Sequence, residues 1–462
     1  MKRATLLFTG AAAEFAVLQP QKFQPLMARL PTVNGWSGER AFAWAVREAP
    51  FVEVADADVE AAYYFRLKVM REHVIETGFD AAPVAFSECR YPTTAADPAK
   101  PQNPSNGTVG CLWGDAQGVI NAASGHHLAE ARWLRNATYH DSYLRYFFAR
   151  PMRYANGTEA TTTPPRIYTS WQTMALHRSL GVGGDLALAK ALLPSLVANV
   201  EGWVREHRFD RCPTGACDCD AADEDPFATC NPGAPQCFHI EDGWDAMENS
   251  VSGGGCRPTI SGAVYAEAAA VSDIAAAVGE TDVSETMARV AADIRDMYLA
   301  TFWNDKGYFA VLKLNKTQYA RDGTSFDEAR DSNDWYDYDC GTLGPDAQRK
   351  NCSSDLWPCD ALADAEELLG LSSPWFFGVV PYDETAKYEA AWKSLFDGFA
   401  GPHGLRTASL DVQGLCPSEA SNYSAMVSCG CYNYSHSECA WNAPSWPYET
   451  SRVLTAMSDV LH

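Results

Sequence analysis

The chain has 462 residues, 47% of them apolar, and a formal net charge of −23. That apolar fraction supports a large core, and no uninterrupted run of about 18 apolar residues suggests a membrane span. So negative a chain is a poor partner for nucleic acid, whose phosphates it would repel, and it favours neutral or cationic ligands over polyanions.

At the N-terminus, Lys2-Arg3 followed by Ala4 to Ala13 resembles a short signal peptide, with Ala11-Ala12-Ala13 as a small-residue cleavage region and Glu14 ending the apolar stretch. Residues 14–55 lack sustained helical periodicity and read as a leader, which sets 1–55 apart from a main domain over 56–462. Helical patterning begins near Asp56, where Val59, Tyr63, Phe65, Val69 and Met70 approximate one apolar face. After a Pro-, Asn- and Cys-rich loop at 89–112, helices are expected at 119–135, 138–149, 167–180, 184–207, 258–279, 282–301, 362–370, 384–398 and 445–461. Pro258 suits a first helical position and Gly279 a stop. Long connections at 208–257, 302–361 and 399–444 separate them, and Gly307 to Leu312 in the middle one reads as a short strand or hairpin. Short and long loops in alternation suit a closed toroid of helical hairpins, with the long loops building a pocket at one end.

Cysteine usage bounds the compartment. Fifteen Cys, with Cys212, Cys217, Cys219, Cys230 and Cys237 in loops, read as disulfide staples formed under oxidising conditions, and the odd total leaves at least one thiol outside an intrachain pair. Seven glycosylation sequons, at Asn106, Asn136, Asn156, Asn315, Asn351, Asn422 and Asn433, point the same way, to the secretory pathway or cell exterior. Cys217-Asp218-Cys219 lies beside an acidic run, but the paired Cys-x2-Cys spacing of a zinc site is missing, so no metal is expected. No cofactor is expected either, since Ser252-Gly253-Gly254-Gly255 is followed by no Lys-Ser or Lys-Thr.

Three segments carry chemistry. Glu241-Asp242-Gly243-Trp244-Asp245-Ala246-Met247-Glu248-Asn249-Ser250 packs four carboxylates among Trp and Gly before running into Arg257-Pro258-Thr259. Crowded carboxylates repel, and burial beside Trp disfavours ionisation, so one can stay protonated and serve as a general acid. An acidic solvent loop is the competing reading. Glu438 to Ser451 contains Trp441, Asn442, Pro444, Trp446 and Pro447, where indole faces suit the C–H side of a sugar ring and Asn a hydroxyl, against plain packing and helix punctuation. An earlier stretch, Gly125-His126-His127-Leu128-Ala129-Glu130-Ala131-Arg132-Trp133-Leu134, offers His126, His127, Glu130 and Arg132 for hydroxyl recognition or for capping and core.

Together these segments resemble the six-hairpin, α/α-barrel glycosidases, a superfamily with trehalase and processing alpha-glucosidase I, and most closely the mannosylglycerate-hydrolase-like domain. The likeness rests on Asp245-Ala246-Met247-Glu248-Asn249-Ser250 against D-G-M-E-x-S, on Trp441 to Pro447 against W-N-G-P-S-W-P with Ala443 in the Gly position, and on the histidine stretch, in the expected order over about 50–462. It implies a mostly α, (α/α)6 toroid with its closing helices beyond His462, and hydrolysis of a terminal sugar from an oligosaccharide or glycan by inversion. The acid is Glu248 by one alignment or Asp245 by another, with Glu248 preferred. Resemblance places the base on a segment after the tryptophan motif, beyond His462, with Glu438 as a substitute or sugar ligand. Trp171 matches a family position near the pocket, with core packing as the rival; Trp244 joins the substrate residues, and Arg257 is expected to clamp the acidic loop. The rival functions are a carbohydrate-binding pseudoenzyme without a base and a structural, disulfide-rich secreted protein.

Overall fold

The computed structural model describes residues 18–30, 36–88, 118–149, 168–208, 237–240, 255–313, 361–364, 366–401, 404–409 and 445–461, with Arg153, Gly157, Arg166 and Ser252 singly. Its elements run α1 (Gln24–Ala28), α2 (Gly38–Glu48), α3 (Ala57–Glu72), β1 (Val74–Phe79), β2 (Ala82–Phe86), α4 (Ser124–Ala131), α5 (Thr138–Phe148), α6 (Gln172–Leu180) and α7 (Leu186–His207). They continue with β3 (His239–Ile240), β4 (Gly255–Cys256), α8 (Pro258–Val278), α9 (Thr281–Phe302), α10 (Leu368–Phe376), α11 (Glu389–Ser394), β5 (Ala400–Gly401), β6 (Gly404–Leu405) and α12 (Pro447–Leu461). The strands pair as three antiparallel two-stranded ribbons.

Composition explains the layering. α8 is Ala-, Val- and Ile-rich and buried on nearly every face, so it belongs inside the ring. α9 hides one stripe, Met287, Val290, Ala291, Ile294, Tyr298 and Phe302, and lies outside against it. Taken in order, α4 packs on α6, α6 on α8, α8 on α10 and α10 on α12. The succession returns to its start, because Tyr448 of α12 meets His126 of α4 with ring centroids 4.3 Å apart. Helices α5, α7 and α9 form outer neighbours, which completes the inner-and-outer pairing of an α/α toroid.

Several boundaries moved for identifiable reasons. The leader contains α2, started by Ser37, whose Oγ accepts from Arg40 N at 3.3 Å; it buries Phe42 and Trp44 together with the small residues Gly38, Ala41 and Ala45. Helix α4 is shorter than 119–135, and α6 starts at Gln172 rather than 167. The helix expected at 362–370 is shifted to Leu368–Phe376. Gly370, the last residue of the expected span, lies inside the observed helix and serves close approach: a Cβ there would lie 2.0 Å from the Phe309 carbonyl oxygen. Residues 384–398 are a tight 3-10 turn, α11 and a wide π turn in sequence rather than one helix. The hairpin β1–β2 went unforeseen, and Gly307 to Leu312 makes single bridges, Trp303 with Phe309 and Leu312 with Cys256, rather than a ribbon of its own. Pro258 and Gly279 bound α8 as expected, Gly279 in the left-handed region at φ 84°.

Candidate active site at the barrel mouth

The N-terminal ends of α4, α6, α8, α10 and α12 face one end of the toroid and are stitched into a rim. Asn121 Nδ2 donates to Tyr168 O at 2.8 Å, joining the lead-ins of α4 and α6. Single bridges link Cys256 to Leu312, Leu312 to Leu362, Glu367 to Ala408 and Arg406 to Ser445, carrying the rim from α8 through α10 to α12. Tyr448 completes it by donating from its hydroxyl to Ala122 O at 3.0 Å. Cys237 and Cys256 form a disulfide with Cα atoms 5.7 Å apart, pinning the β3–β4 ribbon to the start of α8.

Buried charges brace this rim. Glu449, fully buried, accepts from Ser372 Oγ at 2.7 Å and from Arg452 Nη1 at 2.8 Å, while Arg452 Nη2 donates to the Tyr448 hydroxyl at 2.7 Å. This relay ties α10 through α12 to α4. A second cluster joins the starts of α8 and α10. Glu367 accepts from Ser252 Oγ, and Lys313 Nζ donates to Ser252 O at 2.6 Å. Burial raises the Glu367 pKa, opposed by the Arg257 charge, the Ser252 bonds and Lys313. Arg257, Lys313 and Glu367 are all buried, so the cluster carries compensated charge in a dry setting. A third carboxyl crosses between helices: Glu267 of α8 accepts from Thr173 N at 2.8 Å and Met174 N at 3.0 Å, capping the first turn of α6. Its burial outweighs those bonds and holds its pKa up at about 7.

The sequence-named residues divide. Trp171, fully buried, lies inside the ring, edge-on to His126 at 4.9 Å and to Phe376 at 5.0 Å. It fits because position 125 is glycine: a Cβ there would stand 2.3 Å from the indole. Trp446 is half-buried at the start of α12, and Arg257 sits under the rim. His126 turns inward and is neutral, its pKa well below the usual range through burial, Arg452, His127 and Arg66. One step round the helix, His127 turns outward, its Nδ1 3.2 Å from the Tyr143 hydroxyl. Glu130 is bound bidentately by Arg66 at 2.9 Å, and with His127 it lines an outer cleft of about 270 Å³ rather than the mouth. Arg132 lies past the C-terminal end of α4, its guanidinium 5.1 Å above the Trp133 ring. His127, Glu130 and Arg132 thus lie apart from His126 and the mouth. Trp244, Asp245, Glu248, Glu438, Trp441 and Asn442 lie outside the described residues, as does any clamp by Arg257 on their loop. The residues that flank them, Ile240 and Ser252 on one side and Ser445 on the other, are on the rim.

Among the described residues no group of three or more His, Cys, Asp or Glu could hold a metal ion, and no described helix is long and apolar enough to cross a membrane.

The model of the mannosylglycerate hydrolase MGH1-like glycoside hydrolase domain matches residues 116–462. The chain belongs to this family. A solved structure described as a sialidase is similar in fold, with a TM-score of 0.65 and 21% identity over 96% of this chain and 32% of that one. The chain therefore spans about a third of that protein's length. A search of curated proteins gives no match.

Sequence reasoning passed over Glu267, Glu367, Lys313 and Glu449. Only Glu449 carried a local signal, an acid one step after Tyr448 in the tryptophan motif with Arg452 three residues on.

Proposed function

We propose that this glycoside hydrolase removes a terminal sugar from an oligosaccharide or glycan by inversion. The observation that carries this reading is the family match over 116–462, joined to a rim that carries Ile240 and Ser252, on either side of the acidic segment, and Ser445, which follows Trp441 and Asn442. In this reading a protonated carboxyl, Glu248 in preference to Asp245, gives its proton to the glycosidic oxygen as the C–O bond breaks. A second carboxylate takes a proton from water attacking the opposite face, across about 6.5–9.5 Å. Trp441 and Trp446 pack against the C–H face of the sugar, with Asn442 and Glu438 on its hydroxyls. The Glu449–Arg452 relay and the Arg257–Glu367 cluster hold the helix starts in place, so the site does not reorganise when charge develops. The Cys237–Cys256 disulfide and the exposed sequon at Asn136 support a secretory or extracellular setting.

The test is release of monosaccharide from trehalose and from alpha-glucosides, mannosides, rhamnosides and arabinosides. At least one should be cleaved, with E248Q or D245N slowing turnover about a hundredfold or more. Full activity in both variants would refute the assignment of the acid. Saturable sugar binding without any product would instead favour a pseudoenzyme.

A further inference from the structure

The end of the toroid opposite the mouth holds a cavity of about 490 Å³, set among the C-terminal parts of α6, α10 and α12 and one flank of α8. Small side chains leave this space open. Ala266, Ala269 and Ala270 of α8 line it where larger residues would fill it, and Tyr265 and Trp375 add aromatic wall. The volume is that of a small-molecule site.

Its charge is one-sided: Asp273, Asp383 and Asp459 line it against a single arginine, Arg178. That arginine is engaged, since its Nη2 donates to Phe376 O at 3.2 Å and lies 3.6 Å from Asp459. Arg132 also acts on Asp459, which is therefore compensated. The other two acids keep their capacity. Asp273 stands 3.6 Å from His177, wider than a hydrogen bond, and its carboxylate is mostly exposed. Asp383 is exposed and makes no ion pair among the described residues. Arg295, whose charge reaches Tyr265, is drawn to Glu384 at 3.7 Å and Asp296 at 3.9 Å.

The helix ends add to this field. A helix C-terminus carries partial negative charge and favours a basic side chain nearby. Neither α10 nor α12 has one in its last turn, and α12 carries Asp459 there instead. Yet among the described residues no three His, Cys, Asp or Glu are placed to hold one metal ion, so the acids are spread along the wall. Spread charge over an apolar floor complements a ligand whose positive groups are separated by methylenes, and the aromatic rings favour such cations.

We propose that this cavity binds a linear organic diamine or polyamine, with ammonium groups on Asp273 and Asp383 and the methylene chain over the α8 alanines, beside Tyr265 and Trp375. The site lies at the far end from the mouth and does not rest on the glycoside hydrolase reading, so either can fail without the other. Because the ligand would join four inner helices, it should stabilise the folded ring when bound.

The experiment titrates the whole protein with putrescine, a linear diamine, and with Mg²⁺, which matches its charge without the apolar body. Salt at about 0.15 M screens diffuse attraction to the acidic surface. Calorimetry should show one saturable putrescine site per chain, with weaker binding of Mg²⁺, and putrescine should raise the Tm. A269F fills the cavity from its floor and alters no charge, so it should abolish the site. D273N and D383N should each weaken binding by about two- to fivefold. These two replace exposed carboxylates, and they decide the matter if A269F does not fold. Undiminished binding in A269F or in both aspartate variants, Mg²⁺ binding as tight as that of putrescine, or no putrescine site in the wild type overturns the proposal.

Discussion

Glu267 makes a quantitative test of the packing. Its carboxyl is fully buried, and its pKa stands at about 7 against an ordinary 4.5. The folded protein thus keeps a proton that the unfolded chain releases above pH 4.5. Stability should fall as pH rises from 4.5 to about 7, then level off, by roughly 3 kcal/mol at ~1.36 kcal/mol per pH unit. In E267Q that component should vanish. The glutamine carbonyl can still accept from Thr173 N and Met174 N, and its amide can donate to Thr173 Oγ1 or to Asn199, whose Oδ1 is buried without a partner. Urea denaturation followed by circular dichroism, run from pH 4.5 to 8, gives the comparison. His126 and His127, the latter held near 3 chiefly by burial, act in the opposite sense, adding stability as pH rises towards their ordinary 6.5. They are common to both proteins and drop out of the difference. E267Q should therefore gain on wild type by about 3 kcal/mol across the window. Parallel stability curves would refute the assignment of a buried, neutral cap.

Other perturbations report on the rim. G125A should cost about 1–3 kcal/mol and shift tryptophan emission, because the new methyl displaces the Trp171 ring; an unchanged spectrum would contradict the close approach. Serine at both Cys237 and Cys256 should cost about 3 kcal/mol, as expected for a loop of this length, measured as a shift in denaturation midpoint. E449A removes the buried carboxylate that accepts from Arg452 Nη1 at 2.8 Å and should cost about 3–5 kcal/mol. A loss below about 1 kcal/mol there would show that Arg452 does not depend on Glu449.

Much of the inner layer was legible in the chain itself. α8 could be bounded because Pro258 and Gly279 punctuate a 21-residue helix of nearly continuous burial. α2 was missed although it is amphipathic: its buried face is Gly38, Ala41, Phe42, Trp44 and Ala45, only two of them large. α10 was misplaced: Gly370, the last residue of the expected span, lies inside the observed helix, where it admits the Phe309 carbonyl. The site divided along similar lines. Motif spacing singled out Trp171, His126, Arg257 and Trp446, which stand inside the ring or at its rim, but it could not tell that consecutive histidines on α4 face opposite layers. Carboxyls acting across helices, Glu267 on α6 and Glu367 with Ser252, have no local signature at all, since their partners stand 94 and 115 positions away.

Proton NMR of the reaction in its first minutes, following the anomeric signal of the released sugar, addresses the central claim most directly. Hydrolysis through an acid on the acidic segment and a water on the opposite face predicts that the inverted anomer appears first and then mutarotates, with the signal suppressed in E248Q or D245N. First appearance of the retained anomer, or inverted product formed at the wild-type rate by both variants, would contradict it.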